Sequence, residues 1–147
     1  AERCGGFSYN DMIDLFLDYD LDIPTIRKLN GGRGGLVSHF GTSDLRKVEE
    51  MVDTGDTQAE LVLRAMAYRV AQGVAAVSVL VNGRIDAIAI TGGMANSARF
   101  CRWISERVRF IAPVTVKPGE LELEALALGG LRVMRGQEQA HEFRKDR

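Results

Sequence analysis

Ala87-Ile88-Ala89-Ile90-Thr91-Gly92-Gly93-Met94-Ala95-Asn96-Ser97 is the stretch on which the fold turns. Ala87 to Ile90 is a short continuous apolar run, the pattern of a strand covered on both faces. Two glycines interrupt it, and a helix then starts at about Ser97 with Phe100, Trp103, Ile104 and Val108 at inward spacing. Pro113 to Val116 reads as a second strand, Pro118-Gly119 as a turn, and Leu121 to Arg135 as a last helix. Strand, helix, strand, helix predicts an α/β fold whose parallel strands are joined by a right-handed crossover.

Upstream of this unit the pattern is helical. Met12, Leu15, Phe16 and Tyr19 follow helical spacing after the polar Ser8-Tyr9-Asn10-Asp11 start. Asp22-Ile23-Pro24 offers a second start, with proline pre-set for a first turn, and that helix should stop at Asn30-Gly31-Gly32. Gly31 to Gly35 is a loop. Ser43 is placed to cap a third helix with Leu45, Val48, Met51 and Val52 on one face, ending at Gly55. Thr57-Gln58-Ala59-Glu60 has capping-box spacing, and the helix it opens runs to about Leu80. The later part of that helix is apolar nearly all round, which predicts burial on more than one side. Asn82-Gly83 then makes a turn.

The 147 residues amount to about one domain, at ~100–200 residues per domain. With 46% hydrophobic and 27% charged residues, the composition argues against a disordered chain. Nineteen basic and twenty acidic side chains leave a net charge of -1, which gives no general case for nucleic acid or an anionic membrane. Cys4 and Cys101 cannot build a disulfide framework, and beside only His39 and His141 a zinc cluster is not expected. The polar, glycine-rich Ala1 to Gly6 is no secretory signal. Val70 to Val81 falls short of the ~20 residues that span a bilayer. A reduced, soluble, cytoplasmic protein is the expectation.

Chemistry is expected first at Thr91 to Ser97. Adjacent glycines let a ligand approach the backbone without meeting a β-carbon. The helix start that follows suits an anionic phosphate, beyond the carboxyl end of a strand where α/β proteins bind ligands. A tight turn with no ligand is the competing reading. A second candidate is Gly31 to Arg46, where Asp44 and Arg46 fall in the first turn of a helix. Asp44 is read as a ligand residue or only a partner of the helix dipole, and Arg46 as a planar fork or a surface that stacks on a base. His39 could be a general base, but a lone histidine is more often a structural hydrogen-bond donor. Third, Glu120 and Glu122 follow the second strand, where carboxylates could face magnesium or simply cap a helix. Arg3, beside Gly5-Gly6, says nothing alone.

In this order the segments resemble the C-terminal part of the butyrate kinases, a branch of the acetate kinase family. The resemblance is carried by Gly34-Gly35-Leu36, Ser38-His39-Phe40-Gly41-Thr42-Ser43-Asp44-Leu45-Arg46, Gly55-Asp56 and Ala65-Met66-Ala67-Tyr68. It continues in Val108-Arg109-Phe110-Ile111-Ala112-Pro113, in Pro118 to Ala127, and in Leu131 to Gly136. The acetate kinases proper usually carry Gly-Glu-Asn after the equivalent glycine turn. Met94-Ala95-Asn96 lacks that glutamate, which favours the butyrate branch.

The resemblance implies the C-terminal part of a ribonuclease-H-like, actin-like ATPase domain, with parallel strands and helices on both faces. It implies transfer of the γ-phosphate of ATP to a short-chain carboxylate such as butyrate, with ADP and an acyl phosphate as products. Thr91, Gly92, Gly93, Met94 and Ala95 would then be the adenosine motif, near the sugar and α-phosphate. Asp44 and Arg46 would line the adenosine pocket, and Arg3 would steady the transferring phosphate. Glu120, and less directly Glu122, would stand on the Mg2+ side. Residues 1–147 would be the nucleotide-side domain of a two-domain kinase without its N-terminal partner, and inactive alone. A non-catalytic nucleotide-binding or interaction module that kept the fold is the alternative. The acid's chain length and any homo-oligomer stay open.

Overall fold

Two helices and a pair of strands account for most of the core. The computed structural model describes residues 6, 8–119 and 122–140. The order is α1 (Tyr9–Tyr19), α2 (Ile23–Asn30), α3 (Leu36–Phe40), α4 (Leu45–Asp53), α5 (Thr57–Ser78), β1 (Ile88–Gly92), α6 (Ala98–Val108), β2 (Val114–Pro118) and α7 (Glu122–Met134). Short 3-10 turns, Val79–Val81 and Gly93–Asn96, follow α5 and β1.

β1 and β2 pair in parallel, with Ile88 opposite Val114 and Gly92 opposite Pro118. α6 is the crossover between them, as the strand-helix-strand pattern predicts. Its Phe100, Trp103, Ile104 and Val108 are all buried. They pack with Ala59, Leu63, Ala67 and Ala71, an i, i+4 stripe on α5, and with Val48 of α4 and Ile88 of β1. Small residues recurring on one face of α5 let α6 approach closely. The polar edge of this seam is tied as well: the Arg64 guanidinium lies 4.5 Å from the centre of the Trp103 ring and pairs with Glu60 one turn earlier.

Two burial expectations are corrected. The run at β1 is not covered on both faces by the described residues: Ile88 is buried and Ile90 half-buried, but Ala89 and Thr91 are exposed. The side chains alternate as in a sheet with one face on the core. In the later part of α5, Tyr68, Val70 and Val77 are exposed, because α4 and α6 reach only its small-residue face. α7 likewise leaves Leu123, Leu126 and Met134 exposed.

Helix starts shift by a residue from their expected positions. α4 is capped by Asp44, not Ser43: its carboxylate accepts from the Arg46 amide at 3.1 Å. α5 is capped by Asp56, which accepts from the amides of Gln58 and Ala59, in place of a Thr57–Glu60 box. In both cases an aspartate one position away takes the cap, and its carboxylate adds a favourable charge at the helix N-terminus. The short α3 follows directly on the Gly31–Gly35 loop, in a stretch to which the sequence reading gave no element, and buries Leu36 fully. Among the described residues no helix is long and apolar enough to cross a membrane.

Leu63 has no solvent exposure at the α5–α6 seam. Leu63→Ala is therefore expected to lower unfolding free energy by about 2–5 kcal/mol. Chemical denaturation measures this, and a loss below ~0.5 kcal/mol, the range of ordinary surface substitutions, would remove Leu63 from the core.

Candidate functional site

The carboxyl end of β1 leads straight into a change of backbone direction. Gly92 has φ 85° and ψ -179°, a region essentially closed to side-chain-bearing residues. A β-carbon at Gly92 would meet nothing within 4 Å, so the glycine answers to backbone conformation and not to crowding. Gly93 carries no such left-handed backbone and begins the 3-10 turn. Gly119, just past β2, exchanges backbone hydrogen bonds with Gly92 in an antiparallel bridge, at 3.2 and 3.3 Å. The two strand ends are thus held side by side beneath the loop.

Beside this loop lies an open cleft of about 550 Å³. One wall comes from the approach to α4 and its first turns: Ser43, Asp44, Leu45, Arg46 and Glu49. The other comes from the turn after β1: Gly93, Met94, Asn96 and Ser97. The Ser97 hydroxyl joins the walls. Ser97 is the N-cap of α6, accepting from the Phe100 amide at 3.0 Å, and its Oγ donates to Glu49 Oε1 at 2.5 Å. A second link, from Arg99 of α6 to Asp53 at the end of α4, runs alongside.

Asp44 and Arg46 stand together in the cleft, but as a closed pair. Arg46 Nε donates to Asp44 Oδ1 at 3.0 Å, and Nη2 donates to Oδ2 at 2.8 Å. The hydrogen bond from this guanidinium is the main cause that holds the Asp44 carboxyl below its ordinary value, and the Asp44 side chain raises Arg46 in return. The fork expected to be free for a ligand is therefore engaged by its neighbour. The outer face of the guanidinium remains exposed.

The other expected site residues are distributed unequally. Gly93 and Met94 line the cleft, Gly92 turns the chain into it, and Thr91, the residue before it in β1, is exposed opposite Lys117. Ala95 does not line this cleft: it is buried, and its carbonyl accepts from the Cys101 thiol at 3.5 Å. Burial pushes that thiol up from its ordinary value, consistent with a packing role. His39 is exposed on α3 outside the cleft lining. Arg3 and Glu120 lie outside the described residues, and Glu122 is placed only as the first residue of α7. Among the described residues no group of three or more His, Cys, Asp or Glu is arranged to hold a metal ion. The wall residues not singled out in the sequence are Glu49 and, as a contributor in its own right, Asn96, whose amide donates to the Gly93 carbonyl at 2.8 Å.

Comparison with known proteins places this geometry in a family. Acetate kinase from Porphyromonas gingivalis superposes with a TM-score of 0.76 at 19% identity, over 90% of this chain and 40% of that one. A propionate kinase from Francisella tularensis gives 0.70 at 22% identity, over 83% of this chain and 37% of that one. Acetate kinase from Entamoeba histolytica gives 0.72 at 19%, over 90% and 41%. The chain thus spans about two fifths of the length of these relatives. At such identities the likeness speaks for the fold, a mixed α/β arrangement with parallel strands and helices of the actin-like ATPase kind. Residues 3–116 match the Acetokinase family over well more than half of the sequence, and the chain belongs to that family.

Proposed function

We propose that this chain is the nucleotide-side part of a carboxylate kinase, which transfers the γ-phosphate of ATP to a short acid, butyrate foremost. The observation that carries the reading is the convergence of Asp44, Arg46, Gly93 and Met94 on one cleft at the carboxyl end of a parallel strand pair. Those residues come from segments far apart in the sequence, each of which carries a ligand-binding pattern of its own. The 3-10 turn Gly93–Asn96 has no side-chain cap at its start, so its first amides remain available to an anionic acceptor. The exposed Arg46 guanidinium offers a flat face on which a base can stack.

In the transfer, a carboxylate oxygen of the acid attacks the γ-phosphorus in line, the bond from that phosphorus to the β–γ bridging oxygen breaks, and ADP leaves with the bond's electrons. Positioning and charge neutralisation do most of the catalysis in such reactions. Arg3 is the residue proposed to meet the charge on the moving phosphoryl group. Magnesium, when bound, would neutralise phosphate oxygens, with Glu120 or Glu122 as its carboxylate side. The opposite wall of the reaction cleft, and the acyl pocket, are assigned to a second domain.

The direct test is hydroxylamine trapping of acyl phosphate from the full-length protein with ATP, magnesium and acetate, propionate or butyrate in turn. ATP-dependent product is expected, greatest with butyrate. Product greatest with another acid would move the substrate and keep the reaction. ATP binding with no product from any acid would favour the non-catalytic module.

Gly93→Val is expected to weaken ATP binding by at least ~10-fold, about 1.4 kcal/mol, with little change in ligand-free melting temperature. Gly92→Val should instead lower the melting temperature with or without ligand, because its backbone is left-handed. Calorimetric titration and thermal unfolding separate the two effects. Unchanged affinity in folded Gly93→Val would make the loop a turn and nothing more.

The Asp44–Arg46 pair has a definite pH sense. A carboxyl lowered in the folded state contributes stability above its unfolded value, near ~3.9, and loses it as pH falls through the lowered folded value. The cleft wall is therefore expected to persist through mildly acid solution. Arg46→Gln should return the Asp44 carboxyl toward its ordinary value, as read by carbon-detected NMR titration. An Asp44 titration identical in both proteins would dissolve the pair.

A further inference from the structure

Of the acceptors in the cleft, Asp44 has both oxygens engaged by Arg46 and one also by a backbone amide. Glu49 differs. One of its oxygens, Oε1, accepts the Ser97 hydroxyl, and that hydroxyl is itself fixed by the Phe100 amide. Its other oxygen, Oε2, has no partner among the described residues. The side chain is half-buried and lines the cleft. The result is a cleft-lining carboxylate tethered through one oxygen, with acceptor capacity that no described residue uses.

We infer that Glu49 is a specificity-determining residue, whose carboxylate accepts a hydrogen bond from a donor on the nucleoside half of the bound nucleotide. The inference rests on the nucleotide reading proposed above and adds one discriminating contact to it. Phosphate oxygens are acceptors and cannot bond the acceptor-only Glu49 carboxylate, so they belong at the Gly92-Gly93 turn. The uncharged nucleoside then lies toward α4. It carries two kinds of donor, the exocyclic amine of adenine and the ribose hydroxyls. Hydrogen bonds to a charged acceptor are among the stronger ones, and a site built to receive a donor rejects analogues that lack it.

The test is calorimetric binding to the full-length protein, at fixed magnesium, of ATP, inosine triphosphate, 2′-deoxy-ATP and 3′-deoxy-ATP. Inosine triphosphate replaces the amine by an acceptor oxygen, and the deoxy compounds each remove one hydroxyl. In the unmodified protein at least one analogue is expected to bind ~10-fold or more weaker than ATP, which identifies the donor. Glu49→Gln keeps an oxygen for Ser97 and should weaken ATP while abolishing the discrimination against that analogue. Equal loss for all four nucleotides, with the discrimination intact, would mean that Glu49 only braces the wall and would overturn the inference. So would ATP affinity unchanged in the variant. Failure of ATP to bind the unmodified protein would instead bring down the nucleotide reading, and this inference with it. If Glu49→Gln melts early, Glu49→Asp, which keeps the charge but withdraws it from the cleft, serves the same comparison.

Discussion

The seam between α5 and α6 is the contact on which the remaining structure depends. Leu63, Ala67 and Ala71 present a narrow face, and Phe100, Trp103, Ile104 and Val108 fill it. Because α6 is also the crossover between β1 and β2, fixing it against α5 fixes where both strands run. Burial of apolar surface supplies that anchor without direction, at roughly 25 cal/mol per Å². Direction comes from the strands' hydrogen bonds and from Ser97, which joins the start of α6 to α4. The cleft exists because those two helices and the turn after β1 are locked to one another.

Much of this organisation was legible in the sequence, and the reasons can be assigned residue by residue. The inward positions of α6 were readable because 3.6-residue spacing and large apolar side chains coincide there. The parallel pair followed from element order alone. Burial on the far face of β1 was misread, since Ala87 to Ile90 is apolar whichever neighbours are present, and a short apolar run does not report how many faces are covered. The cap of α4 was missed by one residue because Ser43 and Asp44 are both good caps, and only the geometry that puts Thr42 Oγ1 on the Asp44 amide decides between them.

The site divides along the same line. Gly92-Gly93 and Asp44-x-Arg46 are local patterns, and local patterns can be read. Glu49 could not be, since a glutamate in an amphipathic helix looks like a solvated residue until its partner, Ser97, is brought over from another element. The pairing of Asp44 with Arg46 also changes the electrostatics expected of the cleft. The arginine cancels the aspartate within the wall, leaving Glu49 as the lining carboxylate without a cation bonded to it among the described residues. A wall so composed carries its carboxylate charge at Glu49, within the field of the Arg99 guanidinium of α6.

The crossover joining β1 to β2 also bears on how this region reaches its folded state. The strand partners are separated in the chain only by α6 and its short connections, and α6 lies one strand and two short 3-10 turns beyond α5. Contacts between near neighbours in sequence close small loops, and small loops lose little chain entropy on closing. By this measure the strand pair, whose partners lie closer in the chain than the facing residues of α5 and α6, closes the smaller loop, and α6 within it is brought to α5 with both strands attached. The glycine turn, tied by Gly119 to the end of β2, takes its shape from the same closure, since its bridge partner lies at the end of the second strand.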